Sequence, residues 1–323
     1  MNNTIALALK VIRKLYIHIH GEHQLPPLNR EMDINLISEK ISNLLLDEKP
    51  CMIARIGAFE LDTIINYLCI QEGSKPIYKY ITGECPEWWW NENLLKCMHT
   101  NAGFFPPTHT EIEKFCQLML EDLKSLDILG SWQRKEVYLE KYTPNNLIRV
   151  NREYINPFFA NKPWTHCLKG KKILVIHPFA HSIEAQYKRK DKIFTNGFLP
   201  DFELHVIPAI QSIKGSNPQF SNWFDALHFM EEQIDNINYD ICLLGCGAYG
   251  FPLAAHIKRN GKKAIHIGGA LQLYFGIKGK RWEGNGYQSE LNNYSRLFNQ
   301  YWIRPSAEET PSSANNVENS CYW

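Results

Sequence analysis

No stretch of this 323-residue sequence approaches the ~20 consecutive apolar residues of a membrane-spanning helix. The only N-terminal apolar run, residues 5–19, is interrupted by Lys10, Arg13 and Lys14, unlike the uncharged core of a secretory signal. The sequence also has no CxxC pair, and its nine cysteines are an odd number scattered along the chain. This argues against a disulfide framework and a structural zinc site. We therefore expect a cytoplasmic protein.

The sequence has almost no net charge, because 35 Lys and Arg residues stand against 34 Asp and Glu residues. No overall basic field therefore draws the protein onto nucleic acid. Hydrophobic residues make up 44% of the chain and charged residues 21%, which excludes a mostly disordered protein. The composition predicts a globular protein with a sizeable core.

Three segments are expected along the chain. Residues 1–30 contain an amphipathic helix and a Pro-containing linker, residues 31–304 form the main domain, and residues 305–323 form a polar tail. The apolar residues of the first helix recur at helical spacing, at Ile5, Leu9, Ile12, Tyr16 and Ile19. Such a basic helix can lie on the inner face of a membrane. The alternative, a helix docked on the domain, is favoured by periodicity alone.

Strands and helices alternate from residue 170 onward. The predicted strands are residues 51–56, 172–176, 203–207, 241–244 and 264–267, with weak candidates at 135–139 and 147–150. The predicted helices are residues 34–46, with no obvious cap, 111–126, 182–190, 223–237 and 252–259. Continuous apolar strands alternating with helices predict an α/β, Rossmann-like fold, a mostly parallel sheet with helices on both faces.

A glycine-rich turn is the most specific local motif. Gly245, Gly247 and Gly250 have GxGxxG spacing, after a predicted strand and at the start of a predicted helix, with Tyr249 inside the motif. Such glycines let the backbone approach a diphosphate, although they can also serve strand–helix packing alone. A dinucleotide site also needs an acidic residue about 20 positions later, and Ile265-His266-Ile267 holds none. A nucleotide or nucleotide sugar therefore fits better than NAD.

Other candidate ligand-binding residues follow strands of the same sheet. One predicted strand is followed by two glycines and, further on, by two cations: Gly268, Gly269, Lys280 and Arg281. Another predicted strand is followed by two histidines and a serine: His177, His181 and Ser182. Because ligands bind at the carboxyl edge of open α/β sheets, we expect these residues near one ligand. The cations could offset phosphate charge or belong to a solvated loop, and His177 could be an acid, a base or a structural residue.

The strand at residues 51–56 delivers Arg55, Gly57, Glu60 and Asp62 to the same edge. Acidic side chains there can bind a divalent metal that bridges a diphosphate. Alternatively, they stabilise the N-terminus of the following helix through its dipole. The run Trp88-Trp89-Trp90 is a further feature, either a sugar-stacking platform or part of the core.

The segment Arg55-Ile56-Gly57-Ala58-Phe59-Glu60 resembles the RxGxxE segment of bacterial glycosyltransferases with the GT-D fold. The stretch GCGAYGFPLAAHIKRNGKKAIHIGGALQLYFGIKGKRW and the ending ENSCYW are similar to proteins from capsule and O-antigen gene clusters. The resemblance implies a GT-D-like fold, a nucleotide-sugar donor, typically a UDP-sugar, and an Asp-x-Glu pair for donor and metal. Ala58 replaces that Asp, so only Glu60 carries over as a ligand for Mg²⁺ or Mn²⁺, with Asp62 as a substitute.

This resemblance, together with the predicted fold and glycine turn, implies a glycosyltransferase that moves a sugar from a nucleotide donor to a growing surface polysaccharide or lipid-linked glycan. Glu60, Asp62 and His177 are the candidates for a general base, which inversion of configuration requires. Two alternatives remain open: a nicotinamide-dependent oxidoreductase, favoured by the glycine turn, and a non-catalytic partner in a polysaccharide assembly complex, favoured by the incomplete Asp-x-Glu pair.

Overall fold

The structure, a computed structural model, describes residues 3–212, 219–283, 293–310 and 321–323. The strands are β1 Cys51–Ala54, β2 Ile128–Ser131, β3 Ile148–Asn151, β4 Lys172–His177, β5 Glu203–Pro208, β6 Ile241–Leu244 and β7 Lys263–His266. The helices are α1 Asn3–His20, α2 Ile34–Leu46, α3 Ala58–Gln71, α4 Ile77–Thr82, α5 Glu92–Thr100, α6 His109–Asp122, α7 Ala180–Tyr187, α8 Lys190–Ile193, α9 Trp223–Asp235, α10 Gly250–Arg259 and α11 Leu271–Tyr274.

All seven strands join one parallel sheet in the order β3-β2-β1-β7-β6-β4-β5. Alternating side chains of every strand except β3 enter two hydrophobic clusters. Met52 and Ala54 of β1 pack with α3, α6, α9 and α10, whereas Cys51 and Ile53 pack with α2, α7 and α11. The sheet is therefore buried on both faces, which explains its continuous apolar strands. This confirms the predicted Rossmann-like α/β fold.

The weak strand prediction at residues 135–139 is wrong, because this segment lies in a 3-10 helix, Arg134–Tyr142. The Glu136 carboxylate accepts the backbone N–H groups of Trp132 at 2.9 Å and Gln133 at 3.0 Å. These bonds satisfy the free N–H groups at the start of a helical turn. The strand that does form in this region is β2, just before it, which the sequence analysis did not identify.

A second difference concerns the start of α2, for which no cap was apparent. Asp33 is the N-cap residue, and its carboxylate accepts the N–H of Asn35 at 2.7 Å and of Leu36 at 3.2 Å. The acceptor also lies near the positive end of the helix dipole, so the charge is favourable there.

None of the described helices is long and apolar enough to cross a bilayer.

Candidate functional site

A cavity of about 340 Å³ lies at the carboxyl edge of the sheet. Residues that end or follow each of the seven strands line it: Arg55, Trp132, Arg152, His177, Ile210, Gly245 and His266. The strand order reverses between β4 and β6, since β4 leads outward to β5 and β6 leads back to β7. The crevice at such a reversal is where open α/β sheets bind ligands. The topology therefore supports a binding site here.

The three glycines of the GxGxxG turn have different surroundings. A Cβ at Gly245 would press on the His177 ring and lie 3.0 Å from the Gly268 carbonyl, and one at Gly250 would clash with the His266 ring. These two glycines therefore permit close packing. Gly247 differs, because its φ of +59° favours glycine and a Cβ there would meet no described atom within 4 Å. Gly247 lines the cavity and leaves its backbone open to a ligand.

Three arginines line the cavity, Arg55, Arg152 and Arg281, and the first two are close enough to repel each other. A Cβ at Gly268 would lie 3.0 Å from Cζ of Arg55, so this glycine makes room for the guanidinium. Burial and, secondly, the charge of Arg152 lower the pKa of Arg55. Arginine nonetheless stays protonated in proteins. Arg152 lies 4.1 Å from the centroid of the Trp132 ring and pairs with Glu153. Arg55 and Arg152 therefore repel each other, and the carboxylates of Glu153 and Glu60 offset part of their positive charge.

His177 is neutral in the folded protein, since burial lowers its pKa from 6.5 to about 3. Its Nδ1 accepts the N–H of Phe179 at 3.0 Å, which assigns the proton of the neutral ring to Nε2. His177 is thus suited to donate a hydrogen bond and is a weak base. Burial, followed by the charge of Arg55, lowers the pKa of His266 to about 3 as well. Nδ1 of His266 is buried with no hydrogen-bond partner among the described residues.

The carboxylates of the Arg55–Asp62 segment lie in different places. Glu60, in the first turn of α3, lines the cavity and folds back over Gly57, where a Cβ would clash with its carboxylate. Asp62 lies outside the cavity lining and pairs with Lys135 at 2.7 Å. Among the described residues, no group of three His, Cys, Asp or Glu side chains could hold a metal ion. In the part of the lining that the structure describes, the carboxylates are those of Glu60 and Glu153, and Glu153 is paired with Arg152.

Most of the predicted site residues come together in this cavity. The lining includes Arg55, Gly57, Glu60, His177, Gly245, Gly247, Tyr249, Gly268, Gly269 and Arg281. The predicted residues outside the lining are Asp62, His181, Ser182, Gly250 and Lys280, and the tryptophans 88–90 lie outside it too. Ser182 has a structural partner, because its backbone N–H donates to Glu309 at 3.1 Å and its hydroxyl donates to the same carboxylate. Gly250 acts through packing on His266 rather than through the cavity.

Sequence reasoning missed the aromatic wall formed by Tyr322 and Trp323. The Tyr322 hydroxyl accepts from Nη1 of Arg281 at 2.7 Å, and its ring fills the space that Gly269 leaves without a side chain. Trp323 lies 6.1 Å from the Phe179 ring and donates from Nε1 to the Glu309 carbonyl at 3.2 Å. A polar stretch separates these aromatics from the domain, so no periodicity pointed to them.

Arg152 and Glu153 were also missed, although a signal existed. They directly follow β3, whose residues were a weak strand candidate, and so occupy the same carboxyl edge.

No family model and no curated protein matches this chain. A solved structure described as a domain of unknown function 1792 (DUF1792) is similar, with 15% sequence identity and a TM-score of 0.39. The alignment covers 91% of this chain and 97% of that one.

Proposed function

We propose that this protein is a glycosyltransferase that uses a nucleotide-sugar donor. The observation that carries the proposal is the conjunction of Arg55, Arg152 and the open backbone of Gly247 in one cavity at the sheet's reversal point. Two guanidiniums that share a cavity with the open backbone of Gly247 match the charge and close backbone approach that a diphosphate requires. The resemblance of RIGAFE to the RxGxxE segment of GT-D enzymes supports the same class. The similarity of the stretch from Gly245 to Trp282 to proteins from capsule and O-antigen gene clusters supports it too.

The donor is a nucleoside diphosphate sugar, with a UDP-sugar as the first candidate. Arg55 and Arg152 face its phosphates, and the neutral His177 donates from Nε2 to a phosphate or sugar oxygen. Because the His177 ring is neutral, it can donate this hydrogen bond without adding positive charge next to the arginines. The aromatic faces of Tyr322 and Trp323 offer a surface for the base or a sugar ring.

In the transfer itself, the acceptor hydroxyl oxygen forms a bond to the anomeric carbon of the donor sugar. The bond from that carbon to the diphosphate oxygen breaks, and its electron pair leaves with the nucleoside diphosphate. If configuration inverts, Glu60 takes the acceptor proton, because His177 is a weak base and Asp62 lies outside the cavity. The acceptor class, a growing surface polysaccharide or lipid-linked glycan, rests on the resemblance.

A resident metal fits this site poorly. The carboxylates of the described lining are Glu60 and Glu153, Glu153 pairs with Arg152, and Ala58 replaces the aspartate of the Asp-x-Glu pair. One carboxylate holds Mg²⁺ or Mn²⁺ weakly without donor phosphates. In this proposal the arginines offset the diphosphate charge, so turnover should persist at least partly in EDTA.

Isothermal titration with UDP-sugars and, separately, with NAD(H) tests the class of ligand. The proposal expects heat from UDP-sugars, none from NAD(H), and slow release of UDP on incubation. Binding of NAD(H) alone would favour the oxidoreductase instead. Binding of neither class would favour a non-catalytic partner in polysaccharide assembly.

A further inference from the structure

Helix α1 packs on the domain through a side that carries its arginine. Nη1 of Arg13 donates to the Cys85 carbonyl at 2.8 Å, and the guanidinium lies 4.6 Å from the centroid of the Tyr80 ring in α4. Leu9, one turn earlier, is buried at 8% exposure. The polar contact thus points inward, the reverse of the usual arrangement for a helix packed on a core.

The opposite side of α1 is apolar and faces solvent. Its side chains are 46–72% exposed: Ile5, Leu7, Val11, Ile12, Leu15 and Ile19. Leu7, Val11 and Leu15 recur every four residues, which places them in one row along the helix. Ile5, Ile12 and Ile19 recur every seven residues in a second row on the same side. An exposed apolar row of this length marks an interaction surface.

The positive charge of α1 indicates which kind of partner covers its exposed apolar face. The sequence of α1 contains no acidic residue, while Lys10, Lys14 and His18 occur along it. A symmetric contact between two copies of α1 would bring these cations together. Anionic lipid headgroups would instead attract them, each lysine adding to the binding. We propose that α1 lies in the interface of an anionic membrane with this apolar face toward the lipid. The inference rests on the helix surface alone and is independent of the proposed glycosyl transfer.

Sedimentation of the full chain with vesicles tests this inference. One set of vesicles contains phosphatidylcholine and phosphatidylglycerol in equal amounts, and the other contains phosphatidylcholine alone. A variant with Leu7→Ser, Leu15→Ser and Ile19→Ser removes apolar surface without touching the docked side. Leu46→Ser is the control, because Leu46 is 64% exposed in α2, the same fraction as Leu7 in α1. A second variant, Lys10→Glu with Lys14→Glu, reverses charge and leaves the docked Arg13 intact.

The wild type and Leu46→Ser should sediment with the anionic vesicles, reversibly and less as salt rises. Both α1 variants should bind about tenfold more weakly or worse, with unchanged melting temperatures, because their substituted side chains lie outside the core. Equal binding of wild type and α1 variants, or no binding at all, would overturn the inference. It would also fall if the wild type is a dimer in sedimentation velocity and the triple serine variant a monomer, since a second copy would then cover this face.

Discussion

Two histidines at the ends of β4 and β7 are held neutral by burial, and this makes stability depend on pH. The pKa of His266 falls from 6.5 to about 3 on folding, as does that of His177. Between pH 6.5 and about pH 3 each histidine binds a proton in the unfolded chain but not in the folded protein. Each histidine therefore lowers the free energy of unfolding as pH falls below 6.5. Asp122 opposes them, because burial raises its pKa to about 7 and its protonation favours the folded state.

The contribution of one histidine can be isolated by substitution. Between about pH 7 and about pH 5, His266 should lower the free energy of unfolding by about 2 kcal/mol. Urea unfolding at both pH values should therefore show that His266→Gln loses about 2 kcal/mol less than the wild type over this interval. The Asp122 contribution is common to both proteins and cancels. Identical pH dependence in the two proteins would show that His266 is charged, or equally solvated, in both states.

Glu60 and Asp62 are two positions apart in α3, yet only Glu60 lines the cavity. If Glu60 takes the acceptor proton, Glu60→Gln should reduce kcat by about 100-fold or more, the usual contribution of a general base. Asp62→Asn is the matched control and should change kcat little, because Asp62 pairs with the exposed Lys135. UDP release measured at saturating donor gives kcat for both variants. Equal losses in the two variants would remove Glu60 from the proposed role.

At the scale of elements, the three glycines of the turn between β6 and α10 have two different roles. Gly245 and Gly250 allow the His177 and His266 rings to pack against the turn, and Gly247 leaves open backbone. The prediction of this turn from its spacing and context identified the right element, and two of its glycines line the cavity. The spacing of the glycines could not show which of them serve packing and which one serves ligand binding. The role of each glycine depends on the side chains that neighbouring strands place next to it.

Gly247→Ala tests the ligand-facing part of the turn. Gly261→Ala is its control, because Gly261 also has positive φ, +77° against +59°, and a Cβ there also meets no described atom within 4 Å. Both substitutions should lower the free energy of unfolding by a similar amount, about 1–2 kcal/mol, from backbone strain. Only Gly247→Ala should weaken UDP binding in titration calorimetry, by about tenfold or more. A loss shared by both variants would indicate a stability effect, and no loss in either would place the phosphates elsewhere.

Strands made of consecutive apolar residues between two turns were the easiest elements to predict from the sequence. The strand prediction for residues 241–244 matches β6, because four apolar residues lie between a polar turn and a glycine turn. The sequence analysis did not predict β2, because its sequence, Ile128-Leu129-Gly130-Ser131, has two small residues and closely follows a helix. Its strand conformation depends on pairing with both β1 and β3, a tertiary constraint that local propensity does not contain.

At the scale of the whole molecule, the cavity is assembled from segments that are far apart in the chain. Arg55 follows β1, Arg152 follows β3 and Gly247 follows β6, and the parallel sheet brings all three to one edge. The sequence predicted this edge for Arg55 and Gly247, because both follow apolar strands. It could not predict the wall formed by Tyr322 and Trp323, whose position depends on the docking of the chain against Arg281 and Phe179.

The central claim is that Arg55 and Arg152 bind a diphosphate in this cavity. Titration calorimetry of UDP and of uridine, in the wild type, in Arg55→Met and in the exposed control Arg134→Met, tests it most directly. The wild type and Arg134→Met should bind UDP more tightly than uridine. Arg55→Met should lose about 10- to 100-fold in affinity for UDP, the value of a charge-assisted bond, with its affinity for uridine unchanged. An unchanged preference for UDP over uridine in Arg55→Met would contradict the claim.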